Sequence, residues 1–147
     1  MQDRPTYGEL LAAVQRFLET DVVPVLEGPK KFHARVAANV LAIVQRELHS
    51  AEAQLRAEWQ RLDALLGAVE PAPVASADME RRTRERTAEL CSRIRHGDAD
   101  ADPWRAAVVA HVRQTVVDKL AVANPKYLGA ELATAVGAAE PVAGDPP

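Results

Sequence analysis

The segment ARVAANVLAIV, residues 34–44, constrains the fold more than any other part of the sequence. On a helix of 3.6 residues per turn it presents small or apolar side chains in nearly every direction. A helix of this kind is stable in water only when other parts of a protein surround it. We therefore expect the helix that contains it, over about 30–49, to be the central buried helix of the molecule.

Glycines and prolines divide the rest of the chain into further helical segments. Thr6 and Glu9 have the spacing of a capping box, which predicts that the first helix begins there. Pro24 predicts a kink in that helix, with Thr20 or Asp21 capping a restarted helix. Three more helices are expected over about 51–66 with Gly67 as the stop, from a Ser76 cap to about His96, and from an Asp102 cap with Pro103 to about Ala123.

These five helices predict an all-α, bundle-like domain over residues 1–128. The remaining residues, 129–147, are rich in Ala, Gly and Pro and are expected to form a flexible, disordered tail. The fourth helix has only a thin apolar stripe, so we expect it to be peripheral and to offer a surface for a partner or for self-association. The fifth helix has its apolar residues every four positions, and its valine content leaves a strand as the alternative: Trp104, Val108, Val112, Val116 and Leu120.

Charge and cysteine content exclude several functional classes. The chain has 18 Lys and Arg against 21 Asp and Glu, a formal net charge of -3, so it lacks the basic balance of proteins that bind nucleic acid or anionic membranes. No apolar run approaches the roughly 20 residues of a membrane span, and the N-terminus MQDRPTYGE does not have the pattern of a signal peptide. The single cysteine, Cys91, forms no intramolecular disulfide, which predicts a cytoplasmic protein.

Polar residues on the apolar helix are the candidate site. Arg35 and Asn39 are four residues apart and therefore share a helix face. A buried guanidinium needs a carboxylate, which Glu47 or Asp118 could supply. One interpretation is therefore a closed structural network of these four side chains that fixes the register of the helices.

A ligand pocket is the other interpretation of the same helix. In it, Arg35 and Lys119 receive an anionic group, and His33, Asn39 and Asn124 complete the binding site. No histidine lies four residues from another, and no phosphate loop, nucleophile elbow or zinc-binding helix occurs in the sequence. We therefore expect no catalytic residue, no metal ion and no cofactor.

Three blocks of sequence carry a family resemblance: RPTYGELLAAVQRFL over 4–18, LEGPKKFHARVAANVLAIVQREL over 26–48 and KLAVANPKYL over 119–128. In their order and their Phe-His-x-Arg-Val-Ala-Ala-Asn centre they resemble a small bacterial family of unknown function. Genes of that family tend to lie near genes for aminoglycoside-phosphotransferase-like kinases and acyl-CoA dehydrogenases. The resemblance implies a non-enzymatic accessory or interaction module with such an enzyme as partner; the alternative is a small-molecule binding protein or weak enzyme that uses the polar pocket.

Overall fold

The computed structural model describes residues 4–68 and 71–129, and over these residues it contains four helices and no strand. The all-α prediction is confirmed, whereas the count of five helices is wrong. Of the predicted tail only Gly129 is described, and 130–147 lie outside the described residues. The helices are α1 (Tyr7–Phe17, continued by a π turn Leu18–Val22 and by Val23–Val25), α2 (Gly28–Leu66), α3 (Ser76–Arg95) and α4 (Trp104–Ala123), with a 3-10 turn at Pro125–Tyr127.

The second and third predicted helices form one helix, α2, of 39 residues. The sequence around position 50, RELHSAEAQL, contains no Gly or Pro, and most of its residues favour a helix. Ser50 does not cap a new helix, because its hydroxyl donates to the carbonyl oxygen of Arg46 at 2.9 Å. Gly67 ends α2 as predicted, in the left-handed region at φ +68°. None of the helices, over the residues described, is long and apolar enough to span a membrane.

α1 begins at the predicted capping box. The Thr6 amide donates to Glu9 Oε2 at 2.7 Å, and the Glu9 amide donates to Thr6 Oγ1 at 3.3 Å. The predicted restart cap at Thr20 or Asp21 is wrong, because the helix continues through a π turn in which the Val23 amide donates to the Leu18 carbonyl. The wider turn accommodates a proline, which lacks an amide hydrogen, without breaking the helix. The Thr20 hydroxyl instead bonds to the Arg16 carbonyl and the Asp21 carboxylate.

Two other predicted caps are also wrong. Ala75 occupies the N-cap position of α3, without a side-chain cap, and Ser76 is the first helical residue. Pro103 occupies the N-cap position of α4. The Asp102 carboxylate accepts a hydrogen bond from Arg105 at 2.9 Å instead of capping amides, because a charge-assisted bond competes for it.

The described residues fall into two compact units, divided within α2 between Leu55 and Arg56. The first unit is a hairpin of α1 and the first part of α2, in which Gln45 Nε2 donates to Gln15 Oε1 at 2.6 Å. Among its described residues only Ala34 and Ala38 are buried. The prediction of a central buried helix over 30–49 is therefore wrong, since α1 covers that helix on one side and large apolar side chains remain exposed elsewhere on it.

The second unit has the larger core. Leu62 of α2, Leu90 of α3 and Val108 of α4 form its buried cluster, and Trp104 Nε1 donates to the Leu65 carbonyl at 3.1 Å. In α3, Met79, Thr83 and Leu90 are buried, whereas Thr87 and Ile94 are exposed. The peripheral position of this helix and its use as a partner surface stay predictions. In α4, the predicted apolar stripe with a residue every four positions is buried at Val108, but Val112 and Val116 are exposed. The buried residues of α4 are Val108, His111, Val117 and Val122. The single domain predicted over 1–128 stays a prediction.

Candidate functional site

α1 exposes large apolar side chains along one stripe. The spacing of three, four and three residues places them on one face of the helix. No described residue of α1 is buried, although Leu11, Gln15 and Leu18, which lie on another face, are half-buried. Each side chain of the stripe is more than half exposed: Tyr7, Leu10, Val14 and Phe17.

α2 carries a second exposed apolar row. Its members are four residues apart, so they form one ridge inclined to the helix axis. The row does not include the buried Ala34 and Ala38. The exposed side chains of the row are Phe32, Val36, Val40, Val44 and Leu48.

The two sets of side chains lie on one side of the hairpin. α1 and α2 are antiparallel, because Gln15 meets Gln45 while the later Glu19 lines a cleft with the earlier Arg35. On a helical wheel, each set lies about 100° from the residues that face the other helix. Because a row of residues four apart turns around the helix axis, Val36 and Phe32 no longer lie on this side of the hairpin. We call the remaining seven residues the apolar face: Tyr7, Leu10, Val14, Phe17, Val40, Val44 and Leu48.

A polar cleft lies on the other side of the hairpin. Its volume is about 270 Å³, and it brings together Arg35 and Asn39, as their spacing predicts. Both of these side chains are exposed, whereas the sequence placed them on a buried helix. The carboxylate of Glu19 from α1 was not predicted to be there. The lining residues are Glu19, Val23, Arg35, Ala38, Asn39 and Ala42.

The other candidate binding residues are described one unit at a time. In the first unit, the His33 ring meets the Phe32 ring edge to face at 5.8 Å, and Glu47 is exposed. In the second unit, Lys119 is exposed. Asn124 ends α4: its amide donates to the Leu120 carbonyl at 2.8 Å, and its carbonyl accepts from the Tyr127 amide at 3.0 Å. Asn124 is therefore part of the C-terminal end of α4.

Asp118, a predicted acid partner of Arg35, has other partners in the second unit. Its carboxylate accepts hydrogen bonds from Arg61 at 2.8 Å and from Gln114 at 2.8 Å. The ion pair with Arg61 joins α2 to α4 and is half-buried. Asp118 therefore stabilises the second unit, and its place in a network with Arg35, Asn39 and Glu47 stays a prediction.

Arg86 is a buried charge that the sequence analysis missed. It lies in the run ERRTRER, whose composition is typical of an exposed helix face. The structure places its guanidinium 3.0 Å from the Asp63 carboxylate and 4.6 Å above the Trp59 ring. The spacing contained the signal, because Met79, Thr83, Arg86 and Leu90 are four, three and four residues apart, and all four are buried.

His111 is the second buried polar residue that was missed. Its Nδ1 has no hydrogen-bond partner among the described residues. Burial lowers the pKa of the His111 imidazole, and the positive charge of Arg61 lowers that pKa further, while the Glu58 carboxylate opposes both effects. His111 is therefore held in its neutral form more strongly than an exposed histidine.

Comparison with known proteins places the chain in a family. A family model described as "Domain of unknown function (DUF6285)" matches residues 24–127, which is more than half of the chain. The match includes α2, α3, α4 and the 3-10 turn, while the stripe of α1 lies before it. Neither a curated protein nor a solved structure matches the chain.

Proposed function

The chain belongs to the DUF6285 family, whose description gives no activity, and we propose that it is a non-enzymatic interaction module that binds protein through the apolar face. One observation carries this proposal: the seven side chains of the face are 38–58% exposed, and their helical positions place them on one side of the hairpin. Contiguous exposed apolar surface of this kind marks protein interfaces.

The energetics of the first unit support the proposal. Among the residues of this unit that the structure describes, the buried side chains are those of two alanines, Ala34 and Ala38, which contribute little to the hydrophobic effect. The larger apolar groups, including Val40 and Val44, are in contact with water. Covering them with another protein surface would add the apolar burial that the hairpin lacks by itself. The segment 34–44, which has the composition of a helix surrounded by protein, would then be covered on a second side.

The family resemblance supplies candidate partners. Because the related genes tend to lie near those of aminoglycoside-phosphotransferase-like kinases and acyl-CoA dehydrogenases, these two bacterial enzyme classes are the first to test. We place the interaction in the cytoplasm, on the basis of the single Cys91, and without nucleic acid or membrane, on the basis of the net charge of -3.

The experiment compares two valine-to-aspartate variants of the full chain. Val44→Asp puts a charge into the apolar face, whereas Val74→Asp puts the same charge at a side chain that is 97% exposed and outside the face. Association of the chain with itself and with a purified enzyme of each class is measured by analytical ultracentrifugation. We expect Val44→Asp to weaken an association at least about tenfold and Val74→Asp to leave it unchanged. If no association depends on Val44, the proposal is wrong.

A second candidate function is the binding of an anionic ligand in the polar cleft. The observation in its favour is that Arg35 and Asn39 line one cleft of the first unit. The contributions of His33, Lys119 and Asn124 to ligand binding stay predictions. The cleft volume of about 270 Å³ suits a small anion, although the Glu19 carboxylate opposes the binding of negative charge.

The cleft is tested with inorganic phosphate and citrate in thermal unfolding experiments. A ligand at the cleft raises the Tm of the wild type, and the increase disappears in Arg35→Gln but persists in Lys30→Gln, a control on the same helix outside the cleft. If Arg35→Gln instead lowers the Tm of the ligand-free protein by several degrees, the side chain has the structural role. An absence of any response to either anion would contradict the binding proposal.

A further inference from the structure

We infer that the apolar face binds a second copy of this chain, so that two α1–α2 hairpins pack against each other as a four-helix homodimer. This inference rests on the proposed function, because it specifies which protein the face binds. Three properties of the described hairpin support it: the apolar area that is available, the arrangement of the side chains, and the distribution of charge.

The apolar area agrees with that of a small stable dimer. A fully buried Val or Leu side chain removes roughly 60–120 Å² of apolar surface from water, and a fully buried Phe or Tyr side chain removes roughly 150–250 Å². Since the seven side chains are 38–58% exposed, the face offers on the order of 400 Å² of apolar surface per molecule. Two copies would bury about 800 Å², which corresponds to the apolar share of an interface of roughly 1,300 Å² in total. That area lies within the range of specific protein–protein interfaces.

The arrangement of the side chains permits self-packing. Val40, Val44 and Leu48 form a ridge of residues four apart, and ridges of this type pack into the grooves between the same ridges of another helix. Valine side chains lose little conformational entropy when they are buried, because few rotamers are open to them in a helix. One surface that is complementary to itself satisfies the requirement of a two-fold dimer, in which both subunits contribute the same patch.

The distribution of charge favours α1 of one copy against α2 of the other. Residues 4–27 carry four acidic and two basic side chains, so that α1 is negative: Glu9, Glu19, Asp21 and Glu27 against Arg4 and Arg16. Residues 28–48 carry four basic side chains and one acidic side chain, so that the start of α2 is positive: Lys30, Lys31, Arg35 and Arg46 against Glu47. Glu19 and Arg35 line the cleft on the other side of the hairpin, and without them the two segments still carry opposite net charges. A two-fold arrangement that packs α1 of one copy against α2 of the other brings these opposite net charges together.

Sedimentation equilibrium of the full chain from about 1 to about 100 µM tests the inference directly. We expect a concentration-dependent species of twice the 15.9 kDa chain mass. Val44→Asp and Leu10→Glu, on different helices of the face, each raise the dimer dissociation constant at least about tenfold. The conservative Val44→Leu and the control Val74→Asp leave it nearly unchanged. Circular dichroism shows whether each variant folds. If one of the two face variants does not fold, the dissociation constant of the other face variant tests the inference.

The outcomes separate this inference from the proposed function. A wild-type chain that stays monomeric throughout the concentration range overturns the inference, and so does a dimer that both face variants leave intact. If the chain is monomeric but Val44→Asp abolishes binding to one of the two enzyme classes, the proposed function stands and the occupant is that enzyme. A dimer that is lost in both face variants and kept in both controls supports the inference.

Discussion

The guanidinium of Arg86 lies between an aromatic ring and a carboxylate, which explains how a charge is tolerated in the core of the second unit. Asp63 neutralises it at 3.0 Å, and the face of the Trp59 ring attracts it at 4.6 Å. A buried ion pair of this kind contributes little to folding stability compared with a pair of apolar side chains of the same shape. Removing one partner is nevertheless costly, because the other charge then stays without compensation.

We therefore expect Arg86→Ala to lower the free energy of unfolding by about 2 kcal/mol, less than a fully buried pair would lose, since water reaches part of Asp63. Urea unfolding followed by circular dichroism measures this change. Arg81→Ala is the matched control on the same helix, because the Arg81 side chain is exposed and pairs with Asp78 and Glu85 at the surface. Equal effects of the two variants would contradict the structural role of Arg86.

His111 makes the stability of the protein depend on pH. Burial first, and the charge of Arg61 second, lower the pKa of its imidazole below the ordinary value of 6.5. The unfolded chain therefore binds a proton more readily than the folded one. The stabilisation from neutral His111 is complete above pH 6.5, and it is lost as the pH falls from 6.5 towards the lowered pKa.

Replacing the His111 imidazole by a group that does not titrate tests this pH dependence of stability. Between pH 7.5 and pH 5.5, on either side of the ordinary histidine pKa, the Tm of the wild type should fall more than that of His111→Gln. The exposed His49 provides the control, and His49→Gln should follow the wild type. Equal slopes for the wild type and His111→Gln would show that His111 is not the group responsible.

At the scale of the element, two glycines near the ends of helices have opposite effects. Gly67 ends α2 at φ +68°, a conformation that costs an L residue roughly 1 kcal/mol, and no atom lies within 4 Å of an added Cβ. Gly8 lies in the first turn of α1 without a positive φ, and an added Cβ there would be 3.9 Å from Thr6 Oγ1. Backbone conformation, not space, therefore separates the two positions.

From this difference we expect Gly67→Ala to destabilise the protein by about 1 kcal/mol and Gly8→Ala to stabilise it by up to about 0.5 kcal/mol. Chemical denaturation measures both changes against the wild type. Equal signs for the two variants would contradict the helix ends described above.

Two helix ends could be predicted from local chemistry, although the caps predicted in the same way at Ser76 and Asp102 were wrong. The capping box of Thr6 and Glu9 and the stop at Gly67 require only residues that are near in the chain. The predicted break near His49 was wrong because no residue there opposes a helix, and two apolar patterns in succession do not require two helices. Burial was harder to predict, because it depends on distant segments.

The candidate site shows the same limit. The shared face of Arg35 and Asn39 follows from their spacing, and both residues do line one cleft. Glu19 in that cleft comes from α1, and no local pattern indicates which turn of α1 meets which turn of α2. Likewise, the composition of 34–44 shows that the segment requires cover, but it does not identify the surface that provides it.

At the scale of the whole molecule, the two units differ in the size of their cores. The described part of the second unit buries Trp59, Leu62, Met79, Leu90 and three valines of α4, whereas among the described residues of the first unit only Ala34 and Ala38 are buried. Buried apolar area is the main favourable contribution to folding. The first unit should therefore be the less stable of the two in a single chain, and its stability should depend on whatever covers the apolar face.

Hydrogen exchange at several protein concentrations tests this dependence. Because binding to the folded state stabilises it by mass action, dimerisation should slow amide exchange in α1 and in residues 28–55 as the concentration rises. Amides of α3 and α4, whose core is complete within the second unit, should change less. In Val44→Asp the dependence in α1 should disappear, while Val74→Asp should retain it. Protection of α1 that is strong and independent of concentration would mean that the hairpin is stable without a second copy, and the link between the exposed face and association would then be lost.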